Sequence, residues 1–174
     1  MFENKIYFIG NPWPNGHLIK EGAGMSLFKN NNLIFVKLSL KSENYCLESE
    51  SFSRETDWEC VDSWSNYCFA NLNLCEELEV DCTKFASLLT KSEFLLKATS
   101  LPINYDDLDI NRNHCYILGH DDVVGHKIKL IKLENNNYNV EWSCEYVGTY
   151  FGNYEPSQNI LIKLFNIEIS ILGF

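Results

Sequence analysis

Apolar and polar residues alternate along most of this chain. In "KIKLIKL" (127–133), Ile128, Leu130 and Lys132 fall on one parity, while Lys127, Lys129, Ile131 and Leu133 fall on the other. That is the period of a strand with one covered face and one partly wet face. The same character, rich in β-branched and aromatic residues, marks "KIYFI" (5–9), "LIFVKLSL" (33–40), "ENYCLE" (43–48), "DWECVDSW" (57–64), "NYCFANLNL" (66–74), "HCYILG" (114–119), "YNVEWSCEYV" (138–147) and "NILIKLFNIEISIL" (159–172). Together these segments predict about nine strands. "ENNNYN" (134–139) and "FKNNN" (28–32) join strand patterns through asparagines, which tolerate left-handed backbone, so both read as turns and the first as the best hairpin. Ser65 alone separates 57–64 from 66–74, which suggests a bulge or corner in one long strand.

One segment changes period. "CTKFASLLTKSEFLLKATS" (82–100) sets Phe85, Leu88 and Leu89, then Phe94, Leu95 and Leu96, at roughly helical spacing behind Thr83 as an N-cap. It predicts one or two short helices around 83–98, broken near Thr90 to Ser92 and stopped by Pro102. The polar "LPINYDDLDINRN" (101–113), with Asp106, Asp107 and Asp109, reads as a solvated loop. The resulting fold class is mainly β (α+β): an antiparallel β-sandwich or strongly curved sheet with a helix laid on it. A length of 174 residues predicts a single domain spanning 1–174.

Charge narrows the function. Twenty-four acidic against 14 basic residues give a net charge of −10, which argues against nucleic acid as a partner and favours fast encounter with a basic one. The seven cysteines are odd in number and no leader pattern precedes the first strand, so the expected compartment is the reducing cytoplasm, with the thiols as small core residues. The longest apolar run, 160–172, is short and carries Lys163 and Glu168, so no membrane association is expected.

Three groups of residues invite chemistry. "HDDVVGH" (120–126) offers His120, Asp121 and His126, the right residue types for a metal-assisted hydrolase. Their spacing converges only if the chain turns tightly through Asp122 to Gly125, and the competing expectation is a polar connection into the strand that follows. His114 and Cys115 are neighbours, so on a strand they point apart and cannot activate each other. No CxxC, GxSxG, GxxxxGK[ST] or GxGxxG occurs, and no cofactor is expected.

Acidic strand segments form the second group. Glu48, Glu50, Glu55, Asp57 and Glu59 crowd one stretch, and Glu76, Glu77 and Glu79 another. They read either as solvated faces or as a contact surface for a basic partner. Aromatics form the third: Trp13 between Pro12 and Pro14, and Tyr146, Tyr150 and Tyr154 among glycines. These are core or loop anchors, or rigid contacts of a binding surface, with Trp13 and Tyr150 the candidates. A third possibility is a carbohydrate-binding β-sandwich module using Trp13, Trp58 or Tyr150, which the expected reducing compartment argues against.

The stretch "IFVKLSLKSENYCLESESFSRETDWECVDSWSNYCFANLNL" (34–74), acidic, aromatic and strand-rich, resembles the small acidic bacterial immunity proteins of interbacterial toxin systems. That resemblance implies a non-enzymatic cytosolic protein that binds a cognate toxin domain, often a basic nuclease, and blocks it. It transfers no individual binding residue.

Overall fold

The structure is a computed structural model that describes residues 2–8, 16–43, 71–98, 114–116, 120–147 and 156–174. At 8, 71, 73, 114–116, 120–121 and 156–158 it describes the backbone path alone. Among the described residues ten strands and one helix follow in order: β1 (Lys5–Phe8), β2 (His17–Asn30), β3 (Leu33–Ser42), β4 (Asn71–Glu77), α1 (Cys82–Leu88), β5 (Glu93–Ala98), β6 (His114–Tyr116), β7 (His120–Lys132), β8 (Tyr138–Val147), β9 (Pro156–Ile167) and β10 (Ile169–Leu172). The strongly curved antiparallel sheet expected from the alternation is present. It runs β1-β9-β8-β7-β6-β4-β3-β2, and β1 pairs back onto β2 to close a barrel-like ring. The parallel pairing of β10 with β2 departs from the antiparallel pattern.

Two long strands make the closure work. The first residues of β2 pair with β1, and Met25 to Phe28 pair with β10. The first residues of β7 pair with β6, and His126 to Ile131 pair with β5. Each strand changes neighbour around register shifts: Gly125 (φ +64) lies inside the one in β7, and the left-handed Gly22 (φ +76) lies between the two in β2. A bulge adds a residue on one strand and bends it, so one strand can serve two neighbours and turn the wall of the barrel.

The interior is filled by alternate residues. Ile34, Val36, Leu38 and Leu40 of β3, Leu72 and Leu74 of β4, Ile128 and Leu130 of β7, Val140 and Trp142 of β8, and Ile160, Ile162 and Leu164 of β9 belong to one buried cluster. Phe85 of α1 joins it and touches Phe174, with ring centroids 4.7 Å apart. Both expected hairpins form. Asn30 pairs with Leu33 across a turn in which Asn31 has φ +56, and Lys132 pairs with Tyr138 across a turn in which Asn136 has φ +63.

Several boundaries differ from the sequence reading. The second half of the expected helical segment is β5: Phe94, Leu96 and Ala98 point inward while Glu93, Leu95 and Lys97 point out. Exposed Leu95 hid that two-residue period. The N-cap is Asp81, whose Oδ1 accepts from the Thr83 amide at 2.9 Å and the Thr83 hydroxyl at 2.7 Å. Thr83 is thus a donor to the cap rather than the cap, because its own amide needs the acceptor. "HDDVVGH" is not a turn or connection but the first half of β7, with Gly125 in its bulge. Residues 44–48 of the expected strand 43–48, the expected strand 57–64 and the polar segment 101–113 lie outside the described residues, as do 66–70 of the expected strand 66–74, and Glu43 follows the end of β3 outside any strand.

Candidate functional site

Strand parity brings three polar side chains together inside the barrel. Trp142 lies between Val140 and Cys144 on the inward face of β8, and His126 follows the Gly125 bulge on β7. Glu76 continues the inward series Leu72, Leu74 on β4. The Trp142 indole N–H donates to His126 Nδ1 at 3.0 Å, with the rings edge to face at 86°. His126 Nε2 stands 3.5 Å from Glu76 Oε1, outside hydrogen-bond geometry. His126 and Trp142 are completely enclosed, and Glu76 keeps only a slight exposure. The three lie where the wall changes neighbour, between the β4–β6 pairing at Asn71 to Asn73 and the β5–β7 pairing that begins at His126.

A second enclosed histidine marks the other closure. His17 opens β2 opposite Ile6 of β1. Burial holds its imidazole below the usual histidine range, and the Glu43 carboxylate opposes that shift in part. Glu43 is fixed there because its Oε1 accepts the Leu18 amide at 2.8 Å and its own amide donates to the Leu18 carbonyl at 2.7 Å.

The residues expected to carry function are distributed as follows. The acidic set splits: on β4 Glu76 points inward and is buried while Glu77 is exposed, and Glu79, just past the strand, is exposed too. A surface contact through Glu76 is therefore incompatible with its alternation beside Leu74. Of the metal alternative, His120 and Asp121 lie on β7 opposite Tyr116 and Cys115 of β6, and their side chains are outside the described residues. His126 Nδ1 is taken by the Trp142 N–H, so only Nε2 could reach an ion. Among the described residues no three His, Cys, Asp or Glu side chains converge for a metal. Tyr146 is buried in the barrel wall. Glu48, Glu50, Glu55, Asp57, Glu59, Trp13, Trp58, Tyr150 and Tyr154 lie outside the described residues.

Sequence reasoning missed the Trp142–His126–Glu76 arrangement. The parity of "YNVEWSCEYV" does put Trp142 on the Val140 face, but the partner strands could not be known without the register. Among the described residues no helix is long and apolar enough to cross a membrane. No protein-family model matches the chain, and neither curated proteins nor solved structures give a match.

Proposed function

We propose that this chain is a non-enzymatic cytoplasmic binding protein, a bacterial immunity protein that neutralises a cognate toxin domain bearing a basic surface. One observation carries the reading. The barrel interior is occupied by its own side chains, from Ile6 and Leu38 to Trp142 and Ile162, all essentially without exposure. Small barrels filled in this way hold no ligand inside, so recognition falls to the outer surface. That surface belongs to a chain with a net charge of −10. An acidic exterior accelerates encounter with a basic protein and repels nucleic acid, so it competes for a nuclease's substrate groove without entering that substrate's chemistry.

The test starts from the adjacent gene: where it encodes a toxin domain the two are co-expressed, and a neighbourhood without one counts against the proposal. Growth should be restored, the two purified proteins should co-elute at equal stoichiometry, and their association rate should fall as salt rises. Persistent toxicity with no complex at micromolar concentration refutes the proposal.

A further inference from the structure

The register of four strands sets an apolar row on the outside of the barrel. Leu172 of β10 pairs with Phe28 of β2, Phe28 with Phe35 of β3, and Phe35 with Glu77 of β4. Their inward neighbours Leu27, Val36 and Glu76 are buried, so the row itself faces out. The Phe28 and Phe35 rings stack at 5.4 Å with planes 16° apart. Leu172 is 57% exposed, and Leu33, two residues before Phe35 on the same face, is 44% exposed.

Solvated sheet faces usually carry polar side chains, and stacked phenylalanines flanked by exposed leucines are a binding feature rather than a solvated face. The row ends in a carboxylate at Glu77, with exposed Glu79 beyond it. Lys37, two residues along β3 from Phe35 on the same face, adds one positive charge diagonal to Glu77, which the exposed pair Glu77 and Glu79 outweighs. An incoming cation is therefore drawn to the β4 end.

We infer that the Leu172–Phe28–Phe35–Glu77 row is the docking surface for an arginine presented by a basic protein partner. A guanidinium is flat, so it covers an aromatic face while its fork of N–H groups takes a carboxylate. An aromatic pair ending in Glu77 supplies both surfaces in one line, and the chain's negative charge brings such a partner in. This assignment rests on the reading of the chain as a toxin-binding protein and names the surface that does the binding.

The experiment measures association and dissociation rates for the toxin domain identified by the co-expression test, with wild type, Glu77→Lys, Phe35→Ala and Glu141→Lys. Glu141 is exposed on the outer face of β8, so its reversal changes net charge as Glu77→Lys does, but away from the row. Glu77→Lys and Phe35→Ala should each raise Kd about tenfold or more, mainly through faster dissociation. Glu141→Lys should alter only the association rate. Glu77→Lys alone decides the matter if Phe35→Ala fails to fold. Wild-type dissociation in Glu77→Lys, or equal loss in Glu141→Lys, overturns the docking surface while leaving the functional reading in place. Failure of wild type to bind overturns the functional reading, and this assignment with it.

Discussion

The indole N–H of Trp142 donates to Nδ1 of His126 at 3.0 Å, inside the barrel and away from water. An indole nitrogen only donates, so Nδ1 is an acceptor and the ring proton of the neutral imidazole sits on Nε2, facing Glu76. One hydrogen bond thus fixes the tautomer of a residue on β7 from a residue on β8, and turns the remaining N–H toward a carboxylate on β4.

Trp142→Phe should therefore destabilise the fold by about 2–3 kcal/mol. It deletes buried ring volume and leaves the Nδ1 acceptor without its donor. Urea unfolding gives the loss directly, and nitrogen chemical shifts of His126 should report the Nε2–H form in wild type. A change under about 0.5 kcal/mol, typical of surface substitutions, would show that the bond contributes nothing to stability. Nitrogen shifts of an Nδ1–H ring would contradict the tautomer.

His17 makes stability depend on pH. Burial lowers its folded pKa below the ordinary histidine value of about 6.5, so as pH falls the unfolded chain takes up a proton before the folded one does. The contribution of the neutral ring is fully present above pH 6.5 and is lost as pH falls through that value toward the folded pKa. The slope for one such group is at most about 1.4 kcal/mol per pH unit. Unfolding free energies of wild type and His17→Gln, compared between pH 8 and pH 5, should converge as pH drops. A difference that stays constant with pH would assign the dependence to other groups.

How much of this was readable beforehand depends on which side chains face which way. The strand Leu33–Ser42 announced itself because Ile34, Val36, Leu38 and Leu40 alternate with Leu33, Phe35, Lys37 and Ser39. The strand His17–Asn30 did not, because Gly22 and Gly24 interrupt its alternation at the point where the bulges occur. The 120–126 segment looked like a loop because its aspartates and glycine are loop residues. Its true role follows from pairing with β6 and β8, which only the fold supplies. The stacking of Phe28 on Phe35 follows from a register set by the Asn31 turn, which the sequence alone does not show.

Buried thiols give a direct reading of how tightly the barrel is closed. Burial pushes the Cys144 thiol up to about 12, with Glu145 adding to the shift, so at pH 8 it holds almost no thiolate, the reactive form. Iodoacetamide applied to the folded protein should leave Cys144 unmodified by mass spectrometry. In denaturant the same residue should react at the rate of an ordinary cysteine. Rapid native labelling of Cys144 would mean that the β8 wall opens far more often than its burial implies.

Gly125 offers the sharpest test of the bulge that lets β7 serve two neighbours. Its φ is +64, and a Cβ there would meet only the Glu145 carboxylate at 3.5 Å, an ordinary contact. Substitution is therefore penalised by backbone conformation rather than by collision. Gly125→Ala should cost about 1–2 kcal/mol, the penalty for a left-handed L-residue, and Gly125→Asn distinctly less, because asparagine visits that region more readily. Gly22 provides the contrast: φ is +76, and its added Cβ would come within 3.1 Å of the Ser39 carbonyl oxygen, so Gly22→Asn should recover little of the loss in Gly22→Ala. Unfolding midpoints of the four variants check the ranking. Equal rescue by asparagine at both sites would show that backbone conformation alone, and not the approach to β3, limits what position 22 accepts.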